Sequence, residues 1–446
     1  MDFAGLFSDL GGTAWTLASF LVAIIVIVTI HEFGHYIVGR ICGIHAEVFS
    51  LGFGTPLITR TDRHGTRWQI AALPLGGYVR FLGDADGASR PDGTLLDGLT
   101  EAEKRHTMHG APLWARSATV IAGPLANFIL AFVIFLGIIL WKGVAVDVPL
   151  IGSIKAVPFE GQGLLVGDQI TAIEGQPTPD LTTFFTLADG YADKSRVTYQ
   201  VIRNGQSMTV EGPNPLPPVA DSVQPQSAAL DAGIQPGDVI LKAKGQIIAS
   251  FSQLPKLVEA DAGKPIALTL WRAGKTFDVE LSPRRRDLPT ADGGFETRGL
   301  IGVSGGVLFE PVARTPGLFE AASLAWNQGW YMAKVNLTGL GYIVMGKISS
   351  CNVSSPIGMA KAVGAAAHGG VETFLGMLAL VSLSIGLLNL FPIPVLDGGH
   401  LVFHIWEAAT GHPPGERALK VLMSVGLTIL AALMLFALSN DLFRCT

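Results

Sequence analysis

"IVIVTIHEFGHYIVG", residues Ile25 to Gly39, sets two histidines and a glutamate inside an otherwise apolar run. Ionisable side chains at the centre of a membrane-spanning helix cost about 2.5–3.5 kcal/mol each on insertion scales. A helix carrying three of them needs something that compensates them. His31 and His35 are four residues apart, so on a helix both rings lie on one face. Two neutral imidazoles so placed bind one divalent ion, most naturally zinc. Glu32 completes an H-E-x-x-H pattern and stands where a general base would act on a water. The competing reading is a polar helix–helix contact, or a helix end that has already left the lipid.

The rest of the chain agrees with a membrane setting. Of 446 residues, 49% are hydrophobic and only 15% charged, and mean hydropathy is +0.43. Soluble domains carry about a quarter charged residues, so the composition points to an integral membrane protein. A net charge of −5 and the absence of a long basic run exclude nucleic acid as a partner. Cys42, Cys351 and Cys445 are too few and too scattered for a disulfide framework or a thiolate metal site, and read as ordinary small residues.

Four apolar stretches are long enough to cross a bilayer as helices: Ala14–Val38, Trp114–Trp141, Val371–Leu390 and Leu419–Leu438. The first has no basic lead-in and is longer than a signal-peptide core, so it is expected to be retained. The segment before it has no Lys or Arg, whereas the loop after it holds Arg40, Arg60, Arg63, Arg67, Arg80, Arg90, Lys104 and Arg105. The positive-inside rule makes that loop cytoplasmic and puts both termini and the long segment Lys142–Gly370 outside.

That long segment repeats itself. "GDQITAIEGQ" (Gly167–Gln176) aligns with "GDVILKAKGQ" (Gly237–Gln246), and "VIRNGQSMTV" (Val201–Val210) with "LWRAGKTFDV" (Leu270–Val279). Each copy predicts a Gly-Asp turn, a short strand, a helix, then a hairpin turning at Asn204-Gly205 or Ala273-Gly274. The copies resemble PDZ domains, at 148–213 and 214–288, in the permuted form common in bacterial proteases. The resemblance implies a groove that adds a peptide strand to a sheet edge. The alternative is a pair of spacers with no ligand. The region 289–370 follows, and within it Thr315–Lys347 predicts an amphipathic helix, lying on the outer membrane face or packed on the modules.

On the cytoplasmic side, within 41–112, Phe49–Phe81 predicts a hairpin turning at Asp62-Arg63-His64-Gly65. Gly52, Gly54, Gly76 and Gly77 would let its backbone approach something closely. A third metal ligand is offered near the end of the third span (371–400) in "NLFPIPVLDGGH", Asn389–His400, where Pro392 and Pro394 break the helix and Gly398-Gly399 permit an irregular turn. Read alone, Asp397 is equally a ligand or a turn residue; the first-helix motif decides for ligation.

"HEFGH" in a first span (1–40), "AGPLANFILA" in a second (113–142) and "NLFPIPVLDGG" in a later one together resemble the site-2 protease family of intramembrane zinc metalloproteases. The inserted modules resemble its bacterial regulator-of-sigma-E branch. The resemblance covers essentially the whole chain. It implies a polytopic α-helical membrane protein with four transmembrane helices, the last in 401–446, a membrane-associated β-hairpin and two inserted α+β PDZ domains. It implies Zn2+ held by His31, His35 and Asp397, with Glu32 as catalytic base. Substrate contacts would come from Asn389, from the hairpin glycines Gly52, Gly54, Gly76 and Gly77, where a substrate adds as a strand, and from Asn127. The implied substrates are single-span membrane proteins already trimmed outside, of the anti-sigma-factor and signal-peptide-remnant kind, cleaved in the bacterial inner membrane near its cytoplasmic side. The alternative is an inactive membrane scaffold that binds through its PDZ modules. One departure is Ser355 before Pro356, where the family usually has Gly. Cys351 is also unusual there, and a disulfide to Cys445 is not expected.

Overall fold

The computed structural model describes residues 3–85, 98–224, 227–259, 263–290, 295–349, 351 and 353–444. The chain divides into two compact units. One comprises Met1–Ile138, Ala322–Leu337 and Val353–Thr446; the other comprises Ile139–Ala321 and Thr338–Asn352.

The first unit opens with α1 (Phe3–Ile41), an antiparallel pair β1 (Ala46–Thr61) and β2 (Arg67–Phe81), the single turn α2 (Glu101–Lys104) and α3 (Leu113–Lys142). Asp62 shapes the hairpin turn: its Oδ1 accepts the backbone N–H of His64 at 2.8 Å and of Thr66 at 3.1 Å, and Gly65 takes φ +86°. The hairpin is tied to α1. Tyr36 Oη–H donates to Asp62 Oδ2 at 3.3 Å, Trp68 Nε1–H donates to the same oxygen at 3.0 Å, and Phe49 stacks on Trp68. Tyr36, Ile44, Phe49, Val79 and Phe81 form the core beneath.

The second unit is built from two copies of one sheet. β3 (Val144–Ala145) and β4 (Ile151–Ile154) precede β5 (Gln169–Ile173), β6 (Gln176–Pro177), α4 (Leu181–Asp189), β7 (Arg196–Arg203) and β8 (Gln206–Pro213). β9 (Ala220–Val223) and α5 (Ala228–Asp231) precede β10 (Val239–Ala243), β11 (Gln246–Ile247), α6 (Gln253–Glu259), β12 (Ile266–Arg272) and β13 (Lys275–Leu281). The strand orders match: β6-β5-β7-β8 and β11-β10-β12-β13. The hairpin turns match too, with Asn204 at φ 52° and Gly205 at 80°, and Ala273 at 46° and Gly274 at 87°. Two successive positive φ values are the type I′ geometry that suits the twist of a hairpin. The repeated Asp and Arg are a repeated ion pair. Arg203 Nε–H donates to Asp168 Oδ1 at 2.7 Å, and Arg272 Nε–H to Asp238 Oδ1 at 2.6 Å, each with a second bond to the other oxygen.

The boundary expected at 288/289 is not one. β14 (Arg284–Pro289) pairs with β15 (Phe295–Leu300), and β16 (Val303–Gly305) pairs with β9. Ile301 enters the second module's core, while Leu308 and Phe309 enter the first's. β17 (Phe309–Pro311) then pairs with β4, and β18 (Ala313–Arg314) with β3. The modules are completed by chain that follows both of them.

Next come α7 (Leu318–Val344), α8 (Pro356–His368), α9 (Val371–Asn389), α10 (Asp397–Thr410) and α11 (Glu416–Ser439). Helices long and apolar enough to cross a membrane cover Gly12–Ile41, Leu113–Lys142, Val371–Asn389 and Arg417–Phe443, as expected of a polytopic membrane protein. Ser355 N-caps α8: its Oγ accepts the Ile357 N–H at 3.2 Å, which accounts for a serine here. Asp441 Oδ2 also accepts the Ser355 N–H at 2.8 Å. Cys351 is disulfide-bonded, against the expectation of an ordinary small residue. Cys42 is free, and Cys445 lies outside the described residues.

Candidate metal centre

α1 runs unbroken through the motif, so His31, Glu32 and His35 are held by one continuous helix. The third group arrives from the other end of the chain. α9 stops at Asn389, the proline-containing turn follows, and Asp397 is the first residue of α10. Gly398 and Gly399 are not the turn. They are buried in the first turn of α10, where a Cβ would strike the carbonyls of Phe391 and Ile393. They are needed for close packing of the loop on the helix start.

His31 Nε2 and His35 Nε2 are 3.1 Å apart. Asp397 brings Oδ2 to 3.2 Å from the first and Oδ1 to 3.5 Å from the second. One ligand atom from each residue lies within 4.8 Å of the others. Asp397 Oδ2 is buried and, despite its nearness to His31, has no hydrogen bond. Two imidazole nitrogens and a carboxylate converging on one point, with an orphaned oxygen among them, fit a zinc ion with one position left open.

The surrounding helices fix this arrangement. His35 Nδ1 is 2.8 Å from the Thr119 carbonyl oxygen on α3. A Cβ on Gly123 would collide with the His35 ring, so the glycine makes room for that ring. Asn127, four residues further along, is fully buried with Nδ2 3.2 Å from His31 Nδ1. Arg116 on α3 holds α10 by two bonds to Glu407, at 3.0 and 2.6 Å, and Ser117 Oγ is 3.0 Å from His404 Nδ1.

A cavity of about 750 Å³ opens on the cluster. It is lined by His31, Glu32, His35 and Asp397 together with Asn389, Gly76, Gly77, Phe53 and Tyr78. Gly77 brings β2 against Glu32: a Cβ there would stand 3.3 Å from Glu32 Cγ and only 2.8 Å from the Ser50 carbonyl oxygen. Gly52 and Gly54, both at φ +89°, shape β1 and do not line the cavity. Asn127 also lies outside it, behind His31. His400, not singled out in the sequence, also lines it; its position three residues after Asp397 was the available signal.

The model of peptidase family M50 matches residues 19–433. The chain belongs to peptidase family M50. It is 35% identical to the regulator of sigma-E protease of Escherichia coli, over 96% of this chain and 99% of that one. It is 33% identical to a putative zinc metalloprotease of Agrobacterium fabrum, over 96% and 95%. With one of Rhizobium meliloti it shares 34%, over 96% of each. The site-2 protease resemblance is borne out. This M50 chain is an intramembrane zinc metalloprotease, and the inactive-scaffold reading is not favoured.

Proposed function

We propose that His31, His35 and Asp397 hold the zinc ion and that Glu32 is the general base for peptide hydrolysis beside the membrane. The observation that carries this reading is the convergence of those three side chains on one cavity that Glu32 also lines. Zinc, when bound, supplies Lewis acidity: it polarises a carbonyl and lowers the pKa of water to about 7. Glu32 takes the proton of the attacking water and delivers it to the nitrogen of the leaving amine.

Asn389, Gly76 and Gly77 face the same cavity and position the substrate. A helical peptide bond is shielded by its own hydrogen bonds, so a substrate segment must be extended before attack. The membrane-associated hairpin β1–β2 offers an edge on which such a segment adds as a strand. Gly52 and Gly54 act at one remove, by bending β1. The repeated modules are PDZ domains that meet the substrate's outer part, as peptide binders or as a filter against untrimmed chains. α7 exposes Phe319, Trp326, Trp330 and Tyr331, which suits a helix lying on the outer membrane face. Substrates are single-span proteins of the anti-sigma-factor or signal-peptide-remnant type, in keeping with the sigma-E relative. The setting is the bacterial inner membrane, with the modules and both termini periplasmic and the site near the cytoplasmic face.

Glu32→Gln, assayed in detergent on a single-span substrate truncated on its outer side, should lose cleavage by several orders of magnitude while keeping zinc. Full cleavage by that variant would overturn the mechanism. Unchanged zinc content in Asp397→Ala would overturn the ligand set.

A further inference from the structure

Both histidines turn Nε2 toward the cluster, so each neutral ring must carry its remaining hydrogen on Nδ1 when Nε2 binds a metal. That N–H needs an acceptor, which fixes the ring's tautomer and orientation. His35 has one in the Thr119 carbonyl, at 2.8 Å. His31 has the Nδ2 amide nitrogen of Asn127 at 3.2 Å, a donor facing a donor. The amide oxygen of Asn127, meanwhile, is buried and has no hydrogen-bond partner. Half a turn about the Cβ–Cγ bond exchanges the two amide atoms with almost no change in shape. It sets Oδ1 against His31 Nδ1–H, giving the hydrogen an acceptor and the oxygen a donor.

We propose that Asn127 is a positioning residue for the metal: it presents Oδ1 to His31 Nδ1–H and holds that ring with the Nε2 lone pair toward the ion. Three further observations support the assignment. Asn127 is fully buried, so water cannot take its place. Its backbone oxygen accepts the Ser382 hydroxyl at 3.0 Å, which fixes α3 to α9 at this level. It stands four residues from Gly123, matching the four that separate His31 from His35, so one helix backs both rings. The role is distinct from the substrate contact expected of this residue.

The proposal rests on the ligand set given above, and the test separates the two. Zinc affinity of the full-length protein in detergent is measured by competition with a chelator of known affinity. His35→Ala should abolish tight binding; if it does not, the ligand set is wrong. Asn127→Leu keeps the volume and removes the acceptor, and should weaken zinc 10- to 100-fold, the usual cost of losing a partner behind a metal ligand. Asn127→Asp offers acceptors only and should stay within a few-fold of the unchanged protein. Loss of zinc by Asn127→Asp, or full affinity in Asn127→Leu, overturns the proposal. If Asn127→Leu does not fold, Asn127→Asp still decides: a carboxylate keeps zinc if Nδ1 donates, and loses it if Asn127 must. KM for a truncated substrate should be unmoved in Asn127→Asp; a raised KM with zinc intact overturns the positioning role in favour of substrate contact.

Discussion

Gly123 carries no chemistry, yet the site depends on it. A methyl group there meets the His35 ring. Alanine in a helix interior is ordinarily about 1 kcal/mol better than glycine, so Gly123→Ala should leave α3 formed or more stable. The same change should lower zinc affinity at least tenfold, read by chelator competition. The opposite signs of the two effects separate a steric role at the metal from a role in the helix. His31, Glu32 and His35 were legible in the sequence because one helical period brings them together. Gly123 was not, and Asn127 entered only through the family resemblance and as a substrate contact, although "AGPLAN" holds both. Their meaning depends on the register between α1 and α3, which no local pattern records. Gly398-Gly399 were legible as necessary but misread as a turn, because close packing and backbone freedom call for the same residue.

At the level of the element, the repeated Asp–Arg pair is what the alignment of the two copies had marked without explaining. Asp168 is fully buried and its Arg203 partner only partly so. Burial pushes the Asp168 carboxyl up, but the Arg203 guanidinium and the Leu165 N–H outweigh it and hold the group below its ordinary range. A carboxyl lowered in the folded state stabilises fully above its ordinary pKa and loses that contribution as pH falls through the folded value. Amides of β5 and β7 in the full-length protein should therefore lose hydrogen-exchange protection on acidification below about pH 4. Arg203→Met takes the charge partner from the Asp168 carboxylate and should destabilise the first module at neutral pH. Its exchange should then change less with acid than that of the unchanged protein. α10 makes the parallel case in the first unit. Arg116→Met strands the partly buried Glu407 and loosens the helix that Asp397 begins. Zinc affinity should fall several-fold while His31 and His35 stay in place.

For the molecule as a whole, the four spans and the two copies could be read from composition and repetition. The return of residues 303–314 through both modules could not, since each returning strand is only two or three residues long and pairs far back in the chain. Each unit has its own core. Arg272→Met should therefore loosen the second module, seen as faster exchange in β10 and β12, and leave chelator-measured zinc affinity unchanged. A fall in affinity would show that the repeated modules and the metal centre fold as one. The distance along the chain between His35 and Asp397 has a consequence in time. A ribosome delivers the two histidines and the base early and the carboxylate only after the remaining spans but one. Until then the growing chain holds only two of the three proposed ligands. With the ligand set proposed above, a membrane hydrolase assembled in this order should stay inert until Asp397 is made, and a chain cut short before "VLDGG" should lack activity.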